Sequence, residues 1–202
     1  TKVGDTQIGA EWSYRDGAPI MVNTGLGPVP AKGKGQQMQV SAMRILGDRP
    51  WASQTTLTAE IIHVRADSVD SASAAPNLQG VNLLPSLAPM VGESDDYTYK
   101  NSSAWRSKDS SAYTVGASFS YPGVFQGWDL EVPLRFSNVF SGSSPMAGSI
   151  AGVQGDRRYS VGTTFKYLSN LEVALTMIGY LGSPDPVKRP MADRDYATFS
   201  MK

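Results

Sequence analysis

The sequence of 202 residues has no cysteine, one histidine, no excess of either charge and no long apolar run. The absence of cysteine excludes disulfide frameworks, thiol chemistry and cysteine-based metal sites. Because 18 basic residues balance 18 acidic ones, net charge gives no reason to expect binding to nucleic acid or to an anionic membrane surface. The longest largely apolar run, residues 173–182, is about half of the roughly 20 residues that a membrane-spanning helix needs. No membrane helix is therefore predicted.

A regular alternation of apolar and polar residues is the main pattern that the sequence does contain. In WDLEVPLRFSNVF, residues 128–140, apolar side chains occupy every second position from Trp128 to Phe136. A period of two is typical of a strand whose two faces meet different surroundings. The pattern predicts eight strands and no convincing helix, with the strands at 2–15, 36–47, 52–66, 111–121, 128–140, 157–168, 171–181 and 195–202.

The connections between these strands alternate in length. Long connections rich in Gly, Pro, Ser and Asp occupy 16–35, 67–110, 141–156 and 182–194, whereas the connections 48–51, 122–127 and 169–170 are short. In an up-and-down antiparallel sheet this alternation places the short turns at one end and the long loops at the other. Outer-membrane barrels have this asymmetry, whereas a Greek-key sandwich has no reason to sort its loops. We therefore predict an all-β fold, a transmembrane antiparallel up-and-down β-barrel in the bacterial outer membrane, with residues 1–202 as one domain.

The two faces of the predicted strands differ in chemistry. One face is apolar and carries aromatic residues near strand ends, as in the girdles that barrels place at membrane boundaries. It includes the predicted lipid-facing residues Trp12, Tyr14, Tyr113, Tyr121, Trp128, Leu130, Val132, Leu134, Phe136, Tyr159 and Tyr167. The other face carries both signs of charge, which suits a water-filled lumen better than a dry core. It includes the predicted lumen-lining residues Glu11, Arg15, Glu60, Asp129, Glu131, Arg135, Arg158, Lys166 and Glu172.

Two further expectations follow from a barrel. Because the last strand of such a barrel runs towards the periplasm, the short turns are expected on the periplasmic side and the long loops outside. Pro133 cannot donate a hydrogen bond to a neighbouring strand, and a β-bulge is expected there. Outer-membrane lipid and lipopolysaccharide are then the surroundings of the apolar face.

Several segments resemble a family of large proteobacterial outer-membrane proteins, the domain of unknown function thirteen-oh-two family. They are GWDLEVPLRFSNVFSGSSPMAG (127–148), RRYSVGTTFKYL (157–168), PMADRDYATFSMK (190–202) and IGAEWSYRDGAPIMVN (8–23). Members are longer than this chain and end on an aromatic residue that the barrel-assembly machinery reads, so the resemblance implies a C-terminal fragment incomplete at both ends. It also implies partnership with a periplasmic lipid-carrier protein and an inner-membrane exporter, and export of hydrophobic or lipid-like molecules. The family brings no catalytic motif.

Transport through the barrel is therefore the predicted function, with no enzymatic activity, cofactor, metal site or nucleic-acid partner. The alternative is a non-transporting surface protein, such as an adhesin or receptor, or an outer-membrane hydrolase, acting through the loops 16–35 and 67–110. The sole histidine, His63, is interpreted as an interface residue because a hydrolase needs a base, an orienting group and a nucleophile together. Residues 76–90, an apolar segment with three prolines, either fold inward as a constriction or pack on a partner chain.

The remaining motifs have plainer explanations. GLGPVPAKGKG, residues 25–35, has glycines and lysines that could suggest a phosphate cradle, but a strand follows it where that chemistry needs a helix N-terminus. Residues 95–100 and 185–195 bear carboxylates but lack a recognised calcium-ligand spacing. All three segments are interpreted as loops.

Overall fold

The computed structural model describes residues 1–24, 27–70, 106–146, 152–168, 170–182, 184 and 192–202. These residues form nine strands in one sheet. Their bounds are β1 Lys2–Val3, β2 Thr6–Thr24, β3 Gly27–Leu46, β4 Gln54–Asp70, β5 Asp109–Phe125, β6 Trp128–Ser141, β7 Arg157–Tyr167, β8 Leu171–Leu181 and β9 Tyr196–Met201.

Each strand pairs with its neighbours in the chain, so the order in the sheet is the order in the sequence, and every pairing is antiparallel. The predicted all-β class and up-and-down antiparallel topology are confirmed. Within the described ranges, β1 and β9 form the two edges of the sheet and do not pair with each other. No helix in the described part of the chain is long and apolar enough to cross a membrane.

The predicted long connection at 16–35 is wrong, because most of it belongs to a β-hairpin. β2 and β3 remain paired from Thr6 opposite Arg44 to Thr24 opposite Gly27. The segment was interpreted as a loop because it is rich in Gly and Pro. The ladder between β3 and β4 begins at Lys32, so the described β3 residues before it pair with β2 alone, an edge position where proline is tolerated.

Other differences from the predicted elements are smaller. The chain turns at Gly4, whose φ is 58°, and this turn separates the two-residue β1 from β2, giving nine strands instead of eight. β5 continues to Phe125, which pairs with Trp128, so the turn predicted at 122–127 is shorter. The connections from Leu46 to Gln54 and from Tyr167 to Leu171 are short, as predicted for the turns at 48–51 and 169–170.

The bulge predicted at Pro133 is also wrong. Pro133 lies opposite Ser118 of β5. On the β7 side no pair is formed at Pro133, but the pairs before and after it, Glu131 with Thr164 and Leu134 with Val161, have the same register. A Cβ added to Gly162 would lie 3.4 Å from the Pro133 ring. A residue without a side chain therefore leaves room for the ring, and the strand passes it without an extra residue.

The buried core is small and lies at one end of the sheet. Its apolar cluster consists of Ala18, Ile20, Val64, Ala66, Val139 and Met146, with Ile62, Val69 and Ala112 packed against it. Elsewhere many large apolar side chains are exposed, including Trp12, which is 63% exposed. The buried apolar residues therefore gather at one end of the sheet, while large apolar side chains are exposed along most of it.

Candidate functional site

The strand register assigns every predicted site residue to a face of the sheet, because residues directly opposite in an antiparallel pair share a face. Glu60 lies opposite Ser41 and Thr114, and Arg135 lies opposite Gly116 and Ser160. By the same register all nine predicted lumen-lining residues share this face, called here the polar face. All eleven predicted lipid-facing residues share the opposite one, called the apolar face.

The polar face is concave over its central part. A cavity of about 930 Å³ lies there, spanning residues of β1 to β7. Its lining is dominated by small and hydroxyl-bearing residues, including Thr58 and Gly116, with the charged side chains of Glu60 and Arg135 among them. Neither charged group has an ion-pair partner among the described residues. Both are therefore available to water or to a solute in the cavity.

A second group of charges lies at the turn end of the polar face, defined as the end where β5 meets β6 and β7 meets β8. Asp129 lies opposite Lys166, which lies opposite Glu172, so charges of alternating sign cross three strands. Lys166 Nζ is 3.1 Å from Glu131 Oε2. Ser118 Oγ donates a hydrogen bond of 2.8 Å to the other oxygen of Glu131.

The remaining three predicted lumen-lining residues, Glu11, Arg15 and Arg158, lie towards the loop end, opposite the turns. Arg158 Nε donates to Ser137 Oγ over 3.2 Å. Glu11 lies opposite Gln39, and Arg15 lies opposite Gly35. These three residues are distributed over β2 and β7, so the structure does not bring them together in one cluster.

The apolar face has two aromatic clusters, one at each end. At the turn end, the Trp128 ring lies 5.1 Å from that of Tyr167 and 6.4 Å from that of Phe165. At the loop end, Tyr113 lies 6.1 Å from Phe136 and 6.0 Å from Phe140. Between them lie exposed aliphatic side chains such as Leu134 and Leu175, together with Phe119 and Phe199.

A polar network lies at the loop end of the apolar face, around the only histidine. His63 Nδ1 is 2.9 Å from Ser111 Oγ, and His63 Nε2 is 3.6 Å from Asp109 Oδ1. Arg65 Nη1 is also 3.6 Å from that carboxylate oxygen. His63 is thus next to both a hydroxyl and a carboxylate, which its interpretation as a simple interface residue did not anticipate.

The apolar cluster at the loop end of the polar face was also missed. Gly17, in the left-handed region with φ 77°, lies at a bulge between Asp16 and Ala18. The extra residue reverses the alternation, so Ala18 and Ile20 lie on the polar face although even-numbered residues of β2 before Gly17 lie on the apolar face. Apolar residues stay at even positions on both sides of Gly17, so the only sequence signal for the change of face was the glycine itself, a residue that often marks a bulge.

Some predicted features lie outside the described residues. They include the apolar segment 76–90, the carboxylate-bearing segment 95–100 and most of 185–195. Within the part of the chain that the structure describes, no group of three or more His, Cys, Asp or Glu side chains is arranged to hold a metal ion.

Burial lowers the pKa of Arg106, next to the loop end, from its usual value.

Comparison with known proteins identifies the family of this chain. No curated protein and no solved structure matches the chain. The model of the family described as "Protein of unknown function (DUF1302)" matches residues 1–202. Since the match spans the chain, and includes the segments whose resemblance was noted in the sequence, this protein belongs to the DUF1302 family.

Proposed function

We propose that the chain is part of an outer-membrane β-barrel channel whose wall carries solutes along the polar face. The observation that carries the proposal is the separation of one sheet into two continuous faces. One is largely apolar and exposed from β2 to β9, with charged groups near its ends, and the other bears all nine predicted lumen-lining residues. Soluble monomers rarely expose contiguous apolar surface on this scale, so lipid is the surrounding that fits the apolar face.

The spacing of the aromatic clusters supports a membrane position. Phe140 follows Trp128 by 12 positions on β6, which is about 40 Å of strand. At the tilt of outer-membrane strands, this length corresponds to a height of about 30 Å, close to the apolar band with its flanking girdles. Closure would pair the edges at β1 and β9 with each other or with further strands. Outer-membrane lipid, lipopolysaccharide and the barrel-assembly machinery are then the partners.

The proposed direction of transport comes from the family resemblance. A periplasmic lipid-carrier protein and an inner-membrane exporter would deliver hydrophobic or lipid-like molecules to the barrel. The unpaired Glu60 and Arg135 in the cavity would contact solute or water on the way.

The proposal is tested with the full-length protein in planar bilayers and in proteoliposomes. We expect stepwise ion conductance or uptake of a hydrophobic tracer. Glu60→Gln and Arg135→Gln should shift ion selectivity in opposite directions. Leu175→Met, on the apolar face, is the matched control and should leave selectivity unchanged. A folded barrel that passes neither ions nor tracer would contradict the proposal.

A hydrolase is the second candidate, and the contacts of His63 favour it. A neutral imidazole that accepts a proton from Ser111 Oγ while Asp109 orients its other nitrogen would meet part of the requirement for nucleophilic catalysis. The hydrolase is a weaker candidate than the channel, because the distance of 3.6 Å between His63 Nε2 and Asp109 Oδ1 exceeds that of a hydrogen bond. A serine-directed fluorophosphonate should label wild type and fail to label Ser111→Ala if this candidate is correct. Equal labelling of both proteins, or of neither, would remove it.

Replacing residues 71–105 by a short Gly and Ser linker tests the remaining alternative, a surface protein that acts through its loops. Transport should survive this replacement if the barrel wall is responsible. Adhesion or receptor binding should be lost if that segment carries the function. Residues 16–35 are not deleted, because β2 and β3 extend through them.

A further inference from the structure

Apolar packing covers one end of the otherwise polar face. The bulge at Gly17 directs Ala18 and Ile20 to that face, where they pack with Val64, Ala66 and Val139. Ile20 and Val64 are fully buried. The cluster contains no charged residue, although charged and hydroxyl-bearing residues occupy most of the polar face outside it.

The hairpin of β2 and β3 also reaches across the sheet to the segment after β6. Ile20 forms an isolated antiparallel bridge with Met146, and the Met21 N–H donates a hydrogen bond of 2.7 Å to the Pro145 carbonyl. Three strands, β3, β4 and β5, lie between β2 and β6 in the sheet. A contact between these two elements therefore encloses the polar face of the strands between them at the loop end.

The segment after β6 that contains Met146, called here the covering segment, packs closely on the sheet because Gly35 beneath it has no side chain. Met146 Sδ would lie 2.6 Å from a Cβ on Gly35, so the Met146 side chain lies directly over that glycine. The covering segment is itself held in place. The Ser107 N–H donates to the Ser143 carbonyl over 2.9 Å, and Ser144 Oγ donates to the Met146 carbonyl over the same distance.

We propose that Ala18, Ile20, Val64, Ala66, Val139 and Met146, called here the apolar constriction, select apolar solutes over hydrated ions. This inference rests on the proposed transport along the polar face. An ion that moves between these packed side chains must lose hydration without finding polar partners, whereas an apolar solute exchanges water for side chains and the unbranched Met146 side chain can adapt to its shape. Hydrophobic constrictions are known to stop ions in channels in this way.

The test compares two substitutions at different places on the polar face. Ile20→Asp places a carboxylate in the constriction, and Thr164→Asp places one in the open part of the same face, since Thr164 lies opposite Glu131. Conductance of the full-length protein is measured in planar bilayers. Uptake of the apolar dye N-phenyl-1-naphthylamine is measured in intact cells, whose lipopolysaccharide leaflet resists apolar molecules.

We expect Ile20→Asp to invert the selectivity: ion conductance rises and dye uptake falls, each by about tenfold, because the passage becomes wet. Thr164→Asp should change either quantity by less than about twofold, because that position already faces water. Parallel loss of both activities in a folded Ile20→Asp protein, or equal effects of the two substitutions, would overturn the inference.

A disulfide provides a second test that does not depend on tolerance of a buried charge. Because these 202 residues contain no cysteine, Ile20→Cys with Met146→Cys introduces one pair at bridged positions of this segment. Oxidation should reduce dye uptake several-fold and reduction should restore it, whereas Thr164→Cys with Ala174→Cys, a cross-strand pair in β7 and β8, should show no such change. Unchanged uptake in the oxidised first pair would contradict the inference alone. Absence of uptake and conductance in wild type and in every variant would overturn the proposed function as well.

Discussion

Leu134 and Arg135 are consecutive residues that lie on opposite faces of the sheet. Leu134 lies opposite Ala117 and Val161, both on the apolar face, and Arg135 lies opposite Gly116 and Ser160 on the polar face. Leu134 is 39% exposed, although it is in the middle of a strand paired on both sides. The two neighbours therefore lie on faces of opposite chemistry, and the proposed membrane position would place Leu134 in lipid and Arg135 in water.

A charge introduced at Leu134 should therefore impair barrel assembly. Leu134→Arg is expected to destabilise the folded protein by about 2–4 kcal/mol, the cost of a basic residue on the lipid face near the midplane. Arg135→Leu is the control and should fold but alter ion selectivity. The measurement is urea unfolding in liposomes, followed by the shift in electrophoretic mobility of the folded form. Equal tolerance at the two positions would contradict the membrane assignment of the apolar face.

The ion pair between Lys166 and Glu131 should influence selectivity more than stability. Its side chains are 46% and 39% exposed, and an exposed pair contributes about 0–1 kcal/mol. Lys166→Met should shift the reversal potential in a salt gradient towards cation selectivity, because Glu131, Asp129 and Glu172 lose their basic neighbour. Glu131→Gln should shift it towards anions, and the double variant should return near wild type. Two shifts of the same sign would contradict the prediction.

Gly35 should tolerate no larger residue without movement of the covering segment. A Cβ there would lie 2.9 Å from the Arg65 carbonyl oxygen and 2.6 Å from Met146 Sδ, and a valine adds further atoms. Gly35→Val is expected to reduce the free energy of unfolding by about 1–3 kcal/mol, as overpacking does. It should also raise ion conductance, because the displaced Met146 no longer closes the apolar constriction.

Gly47→Ala is the matched control for this glycine. A Cβ at Gly47 meets nothing within 4 Å, so the change in stability should stay within about 0.5 kcal/mol. If Gly35→Val and Gly47→Ala behave alike, the close packing of Met146 over Gly35 is not significant for stability.

Cysteine labelling should show which end of the sheet faces the outside of the cell and which faces the periplasm. Asp48→Cys lies in a turn between β3 and β4, and Asp193→Cys lies before β9 at the loop end. A membrane-impermeant maleimide should label Asp193→Cys in intact cells and Asp48→Cys only after the outer membrane is permeabilised. The opposite pattern would reverse the proposed topology, and labelling of both sites in intact cells would contradict an outer-membrane location.

Local periodicity predicted the strands from 128 to 181 and the face of every site residue, because side-chain alternation depends only on extended backbone. It failed at 16–35 because the Gly and Pro content there indicates a loop, and because the bulge at Gly17 moves Ala18 and Ile20 to the polar face while the apolar residues stay at even positions. The contact between Ile20 and Met146 could not be predicted, since it joins segments far apart in sequence and depends on how strongly the sheet curls. Contacts such as that of His63 with Ser111 needed the register between β4 and β5, which periodicity alone does not fix.

The strictly sequential order of the strands has a consequence for how such proteins can vary. Each strand from β2 to β8 is paired only with the strands before and after it in the chain, so a hairpin is a self-contained unit of the wall. Outside the β2 to β6 segment, where Ile20 bridges Met146, duplication or deletion of one hairpin in a gene would widen or narrow the sheet by two strands while leaving the other ladders and face assignments intact. Relatives of different length can therefore share the same local sequence patterns.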